Sequence, residues 1–102
     1  MTCKSSDRPL VSVVIPMFQA EAWILDTLAS VDSQTHQWIE TIVVDDGSSD
    51  RGAGLVSVFA ESADRPVRLV RTANQGVAAA RNLGISQSGG AYVALLDADD
   101  LW

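Results

Sequence analysis

Six of the 13 acidic residues of this chain are concentrated in two short segments, Asp45, Asp46 and Asp50 in one and Asp97, Asp99 and Asp100 in the other. Carboxylates crowded together repel one another unless a cation or hydrogen-bond donors compensate their charge. Mn²⁺ and Mg²⁺ take oxygen ligands, commonly one or two carboxylates together with the phosphates of a substrate. The pattern therefore predicts a site for Mn²⁺ or Mg²⁺ and a nucleoside diphosphate.

Both acidic segments follow predicted strands. Short β-branched runs predict strands at 10–15, 41–44, 67–70 and 91–96, and apolar residues at helical spacing predict helices at 21–33, around 55–59 and at 76–87. Pro16 lacks an N–H and is expected to end the first strand. The alternation predicts right-handed crossovers and a parallel sheet with helices on both faces. Functional groups then gather beyond the carboxyl ends of the strands.

The composition restricts the classes of partner. The 102 residues suffice for one hydrophobic core, which we assign to 10–102 after a polar leader at 1–9. The single Cys3 forms no intrachain disulfide, and the net charge of −6 argues against a nucleic-acid partner. No apolar run approaches the roughly 20 residues of a membrane-spanning helix. We therefore expect no membrane segment here and a location in the cytoplasm, free or peripheral to the inner face of a membrane.

Four segments resemble, in order and spacing, the signatures of family-2 glycosyltransferases. They are VSVVIPMF at 11–18, VVDDGS at 43–48, NQGVAAARN at 74–82 and LDADD at 96–100. The resemblance covers roughly residues 10–102 and implies a three-layer α/β/α, Rossmann-like GT-A fold that is truncated after its fourth strand. We expect its parallel sheet to have the strand order 3-2-1-4. It also implies a metal-dependent transferase that takes a sugar from a nucleoside diphosphate sugar, expected to be a UDP-sugar, and passes it to an acceptor that the sequence does not identify.

The same resemblance gives roles to individual residues of the donor site. Pro16 and Phe18 would line the base pocket, with Phe18 against a face of the nucleobase, and Asp46 would accept a hydrogen bond from the base. Arg81 would orient an Asp side chain or the diphosphate. The alternatives are that Phe18 belongs to the core and that Arg81 forms a structural ion pair. The family commonly has Asn where this chain has Gln19, which we expect to cap the turn that follows it.

Asp97 and Asp99 form an Asp-x-Asp (DXD) motif. By the resemblance, Asp97 would contact the donor ribose or the metal, Asp99 would bind the metal, and Asp100 is a further candidate ligand. The metal would neutralise charge on the departing diphosphate. The catalytic base is expected beyond Trp102, so we expect this chain alone to be inactive. The alternative function is accordingly an isolated module that binds nucleotide and metal without turnover.

Two other α/β classes fit the pattern less well. A receiver domain places its acidic pair after the first strand, and a dinucleotide-binding oxidoreductase needs a Gly-rich turn there. This chain has Pro16-Met17-Phe18 at that point.

By the resemblance, a complete family member places further strands and helices beside the fourth strand, so the edge of that strand is expected to be uncovered here. Such an edge offers unpaired backbone groups to another chain, and a two-fold dimer is the commonest way to cover it. The sequence therefore predicts a homodimer through the fourth strand or the region 97–102.

Overall fold

The computed structural model describes residues 10–34 and 38–97. Within them, strands and helices alternate as β1 (Val11–Met17), α1 (Ile24–Asp32), β2 (Ile39–Asp45), α2 (Gly52–Ser62), β3 (Val67–Arg71), α3 (Val77–Gln87) and β4 (Tyr92–Leu95). The predicted alternation is confirmed. None of the helices in this described part is long and apolar enough to cross a membrane.

The four strands form one parallel sheet in the order β3-β2-β1-β4, as predicted. In the register of the sheet, Val11 lies between Ile39 of β2 and Tyr92 of β4. The chain adds β2 and then β3 on one side of β1, and it places β4 on the other side, so β1 is the point at which the strand order switches sides. Ligands of open α/β sheets bind beyond the carboxyl ends of the strands at such a point.

The first strand continues through Pro16, so the prediction that Pro16 ends it is wrong. In a parallel strand, successive residues direct their backbone groups to opposite neighbours. The Met17 carbonyl accepts the N–H of Asp46 on the β2 side, and the Val14 carbonyl accepts the N–H of Leu96 on the β4 side. Pro16 therefore faces the β4 side, beyond the last β1–β4 pair at Val14 and Leu95. Its missing N–H costs the sheet no hydrogen bond there.

The core lies on both faces of β1 and β2. On one face, Val13 and Ile15 pack with the buried stripe of α1, which includes Ile24 and Leu28, and with Val56 of α2. The opposite face is covered by α3, which contacts both β1 and β2. A second buried cluster, made of Ile42, Val44 and Ala80, lies on that face. The predicted three-layer α/β/α architecture is therefore present.

Helix α3 lies close to the sheet at Gly84. This glycine is buried, and a Cβ added to it would collide with the side chain of Val14 and lie 3.2 Å from Cγ2 of Val44. The helix that carries Arg81 is therefore held at a distance from the sheet that only a residue without a side chain permits.

A hydrogen-bonded network ties the α3–β4 turn to the amino edge of the sheet. The buried Ser12 hydroxyl donates to Oε2 of Glu40 (2.5 Å) and accepts the Gly90 N–H (2.9 Å), while the Gly89 N–H donates to the same Oε2 (2.7 Å). Burial opposes ionisation of Glu40, but these bonds and the charge of Arg68 outweigh it and hold the pKa of the carboxyl below its usual value. The turn is thus anchored by an ionised carboxylate.

Candidate functional site

The predicted base-contacting residues meet at the carboxyl ends of β1 and β2. Pro16, Met17, Phe18 and Asp46 line a small pocket of about 60 Å³ together with Val77, the first residue of α3. The Phe18 side chain is 51% exposed, so the alternative that it belongs to the core is wrong. The structure thus brings Pro16, Phe18 and Asp46 into one pocket. Sequence reasoning missed Val77, whose only signal was its place after the Gly76 turn.

Asp46 is hydrogen-bonded to the turn between β3 and α3. Oδ1 accepts the Thr72 hydroxyl (3.0 Å) and the Gln75 N–H (2.9 Å), and Oδ2 accepts the Gly76 N–H (2.8 Å). The hydrogen bond from the Gln75 N–H, together with those from the Gly76 N–H and the Thr72 hydroxyl, outweighs the effect of burial. These bonds hold the pKa of the Asp46 carboxyl below its usual value. An ionised carboxylate offers about four acceptor positions. Three of them are used by described residues, so among these residues one acceptor position of Asp46 is left over.

The neighbouring Asp45 is occupied by the protein itself. Its side chain is fully buried, Oδ1 accepts the Ser48 N–H (2.9 Å), and Oδ2 pairs with Nε of Arg71 (3.1 Å). The same guanidinium donates through Nη2 to the Ser48 carbonyl (3.3 Å). Asp45 therefore shapes the loop after β2, and it does not line the pocket that contains Asp46.

Arg81 connects α3 to the end of β4. Its Nη2 lies 3.1 Å from Oδ1 of Asp97, and the two side chains are 38% and 50% exposed. Nε of Arg81 is buried and has no hydrogen-bond partner within the described residues. The structure therefore pairs Arg81 with Asp97, which fits both the predicted orienting role and the alternative of a structural ion pair. A contact of either residue with a donor remains a prediction.

The remaining predicted metal ligands, Asp99 and Asp100, lie outside the described residues. Within residues 10–34 and 38–97, no group of three or more His, Cys, Asp or Glu side chains could hold a metal ion. The half-exposed carboxylate of Asp97 is an oxygen donor of the kind that Mn²⁺ and Mg²⁺ accept. Of the predicted metal ligands, Asp97 is the only one that lies in the described part of the chain.

Comparison with known proteins decides the family. Residues 12–102 match the family described as Glycosyl transferase family 2. The chain belongs to glycosyltransferase family 2. An uncharacterized glycosyltransferase of Rickettsia felis is 42% identical over 92 residues, which are 90% of this chain and 15% of that protein. The chain thus spans a small part of the length of this family-2 relative.

Solved glycosyltransferase structures share the fold. The mannosyltransferase PcManGT of Pyrobaculum calidifontis, in complex with GDP-Man and Mn²⁺, is 32% identical with a TM-score of 0.88 over 93% of this chain and 29% of its own. The structure of S. aureus TarS 1-349 in complex with UDP-GlcNAc is 29% identical with a TM-score of 0.78 over 90% of this chain and 27% of its own. The GT-A fold expected from the sequence is confirmed.

Gln19 occupies an unexpected place in this family-2 chain. The prediction that it caps the turn following it is wrong, because its side chain reaches the loop after β2. Oε1 accepts the N–H groups of Ser49 (2.6 Å) and Asp50 (3.3 Å), and the Gln19 N–H donates to Oγ of Ser48 (2.9 Å). The Gln19 side chain is one methylene longer than that of the Asn common in the family. This extra length was the only feature of the sequence that could have indicated a contact with the loop after β2.

Proposed function

We propose that this chain is the donor-binding part of a glycosyltransferase that takes its sugar from a nucleoside diphosphate sugar, a UDP-sugar, with the help of Mn²⁺ or Mg²⁺. The observation that carries the proposal is that the pocket of Phe18 and Asp46 and the carboxylate of Asp97, paired with Arg81, both follow the carboxyl ends of strands of one parallel sheet. Support comes from the related structures that hold GDP-Man with Mn²⁺ and UDP-GlcNAc.

In the proposed site, Phe18 lies against a face of the base, and Pro16 forms the floor of the pocket. The fourth acceptor position of Asp46 takes an N–H of the base, since the other three are occupied by the β3–α3 turn. Uracil has an N–H flanked by carbonyls at its edge, so an ionised carboxylate there favours uracil over a base that presents an acceptor.

In the same site, Arg81 orients the Asp97 carboxylate toward the diphosphate. Asp97 and Asp99, with Asp100 as a further candidate, would hold a divalent ion. A bound Mn²⁺ or Mg²⁺ would offset the charge on the departing diphosphate. We place the base that activates the acceptor beyond Trp102 and expect this chain alone to bind a donor without transferring its sugar. Release of sugar from a UDP-sugar by the isolated chain would contradict that expectation.

The proposal is tested by calorimetry with UDP, GDP and ADP, each with and without Mn²⁺. We expect UDP to bind more tightly than ADP, whose base presents a ring-nitrogen acceptor at the corresponding edge. GDP, whose base presents N–H groups there, measures how far the pocket excludes a purine. We expect binding only when Mn²⁺ is present, because carboxylates and a diphosphate repel each other without a cation. Asp99→Asn should abolish the effect of Mn²⁺ while circular dichroism remains that of the wild type. Asp64→Asn, an exposed position between α2 and β3, is the matched control. Equal affinity for UDP with and without Mn²⁺ would refute the metal bridge.

We also propose that a second copy of the chain covers the free edge of β4. Within the described residues, that edge has no strand partner, and Tyr92 and Leu95 are 63% and 51% exposed. Light scattering over a wide range of concentrations should therefore give a mass above that of one 10.9 kDa chain. Tyr92→Lys should lower it, whereas Val58→Lys, an equally exposed apolar position on α2, should not. A mass of one chain at every concentration would exclude the dimer.

A further inference from the structure

The loop after β1 contains a backbone conformation that Gln does not favour. Gln19 has a φ of +52°, and no other non-glycine residue of the described part has a positive φ. Glycine adopts this left-handed region readily, and Asn and Asp are enriched there, whereas Gln has no such preference. Something outside the residue itself must therefore hold Gln19 in this conformation.

The bonds to the loop after β2 supply that constraint. The Gln19 side chain accepts two backbone N–H groups, those of Ser49 and Asp50, and its own N–H is taken by the Ser48 hydroxyl. These partners are 29 to 31 residues away in the chain. They lie just before α2, which begins at Gly52. The left-handed conformation is therefore maintained by contacts between two loops.

Two of the residues that line the pocket, Phe18 and Asp46, belong to the same two loops. Phe18 immediately precedes Gln19, and Asp46 lies two residues before Ser48. With half of its side chain exposed, Phe18 is not fixed by burial, so its position depends on the backbone of its own loop. Links that join the two loops therefore affect the distance between the ring of Phe18 and the carboxylate of Asp46. Glu21 makes further links to Asp50 and Arg51, but those of Gln19 are the ones made by the residue next to Phe18.

We propose that Gln19 is a positioning residue for the nucleobase: it locks the loops after β1 and β2 together, so that Phe18 is held in place before a nucleotide arrives. The inference rests on the nucleotide binding proposed above. Preorganised groups bind more tightly because less conformational freedom is lost on association. Gln19 itself need not touch the ligand.

The test is a double-mutant cycle of Gln19→Met and Phe18→Ala, read by calorimetry with UDP and Mn²⁺. Methionine has similar length and removes the hydrogen-bond acceptor. We expect Gln19→Met alone to weaken UDP by about threefold to tenfold, the equivalent of one net hydrogen bond. In the Phe18→Ala background, Gln19→Met should change the affinity for UDP by less than about twofold, since no ring remains to be positioned. Gln87→Met, an exposed position at the end of α3, is the matched control.

A second variant separates positioning from stability. Gln19→Asn retracts the acceptor by about 1.5 Å, one carbon–carbon bond, but Asn adopts the left-handed region more readily. We expect an unfolding free energy equal to or above that of the wild type, together with a loss of UDP affinity like that of Gln19→Met. A residue that only stabilised the fold would change both quantities in the same direction.

The outcomes distinguish this inference from the proposed function. If Phe18→Ala weakens UDP and the effect of Gln19→Met simply adds to it, Gln19 does not act through Phe18 and the inference is overturned while the function stands. If the wild-type chain does not bind UDP, the proposed function is refuted, and the positioning role of Gln19 is refuted with it. Amide hydrogen exchange tests the link between the loops without any ligand. Unchanged exchange of the Ser49 and Asp50 amides in Gln19→Met would overturn the link between the loops.

Discussion

The contact between α3 and the sheet at Gly84 allows the packing of the helix that carries Arg81 to be tested with a single methyl group. In Gly84→Ala, the new Cβ would overlap the side chain of Val14 and lie 3.2 Å from Cγ2 of Val44. Both valines are fully buried in central strands, so neither can move aside without disturbing the sheet. The helix must therefore shift outward.

The size of the effect follows from two opposing contributions. Overpacking a tightly packed core typically costs about 1–3 kcal/mol. Replacing a helical glycine by alanine returns about 1 kcal/mol or less, because alanine loses less backbone freedom on folding. We expect a net destabilisation of about 1–2 kcal/mol, and roughly 4–8 °C of lowered Tm for each kcal/mol in a domain of this size. Because α3 carries Arg81, its ion pair with Asp97 should be weakened as well.

A matched control is available in α2. Gly54 is exposed on this helix, and a Cβ added there meets no atom within 4 Å. Gly54→Ala should therefore stabilise the protein by about 0.5–1 kcal/mol. Urea unfolding followed by circular dichroism compares the two variants with the wild type. If Gly84→Ala is as stable as the wild type, α3 does not lie against β1 at the distance that we describe, and the geometry of Arg81 must be reconsidered.

Three further predictions concern the pocket and the network at the amino edge. Phe18→Ala should weaken uridine nucleotides by about 1–3 kcal/mol, the value of base stacking on an aromatic ring; calorimetric affinities equal to the wild type would remove Phe18 from the base pocket. Asp46→Asn places its NH₂ group against the Gly76 N–H in one orientation and against the Gln75 N–H in the other, so both urea stability and UDP affinity should fall. Wild-type values of either would contradict the role of the carboxylate. The folded-state pKa of Glu40 is lowered from an ordinary value of 4.5, so its contribution to stability is present above that pH and is lost as the pH falls through the lower folded value. When the free energy of unfolding in urea is plotted against pH, Glu40→Gln should therefore give a flatter acid side than the wild type. Glu61→Gln, an exposed position on α2, is the control, and parallel curves for the two variants would contradict the role of Glu40.

The order of elements and the strand order could be predicted from the sequence. The order of elements and the parallel sheet depend on local periodicity and on the handedness of crossovers, which are properties of short segments and of L-amino acids in general. The strand order was expected only once the resemblance to family 2 had been recognised. The meeting of Phe18 and Asp46 also followed, since parallel strands bring their carboxyl ends to one edge. Pro16 was misjudged because its effect depends on which neighbour its missing N–H would face, and that is decided by how far β4 extends.

Only the tertiary structure decided what each functional group bonds to. Asp46 is bound by the N–H of Gly76, 30 residues away, and Gln19 by that of Ser49, also 30 residues away. The need for glycine at position 84 likewise appears only when Val14 lies against it. Residue type and spacing determine which groups can donate, accept or carry charge. Which partner each group takes depends on the packing of segments distant in the chain, because a hydrogen bond or a steric contact is set by separations of a few ångströms that no local pattern encodes.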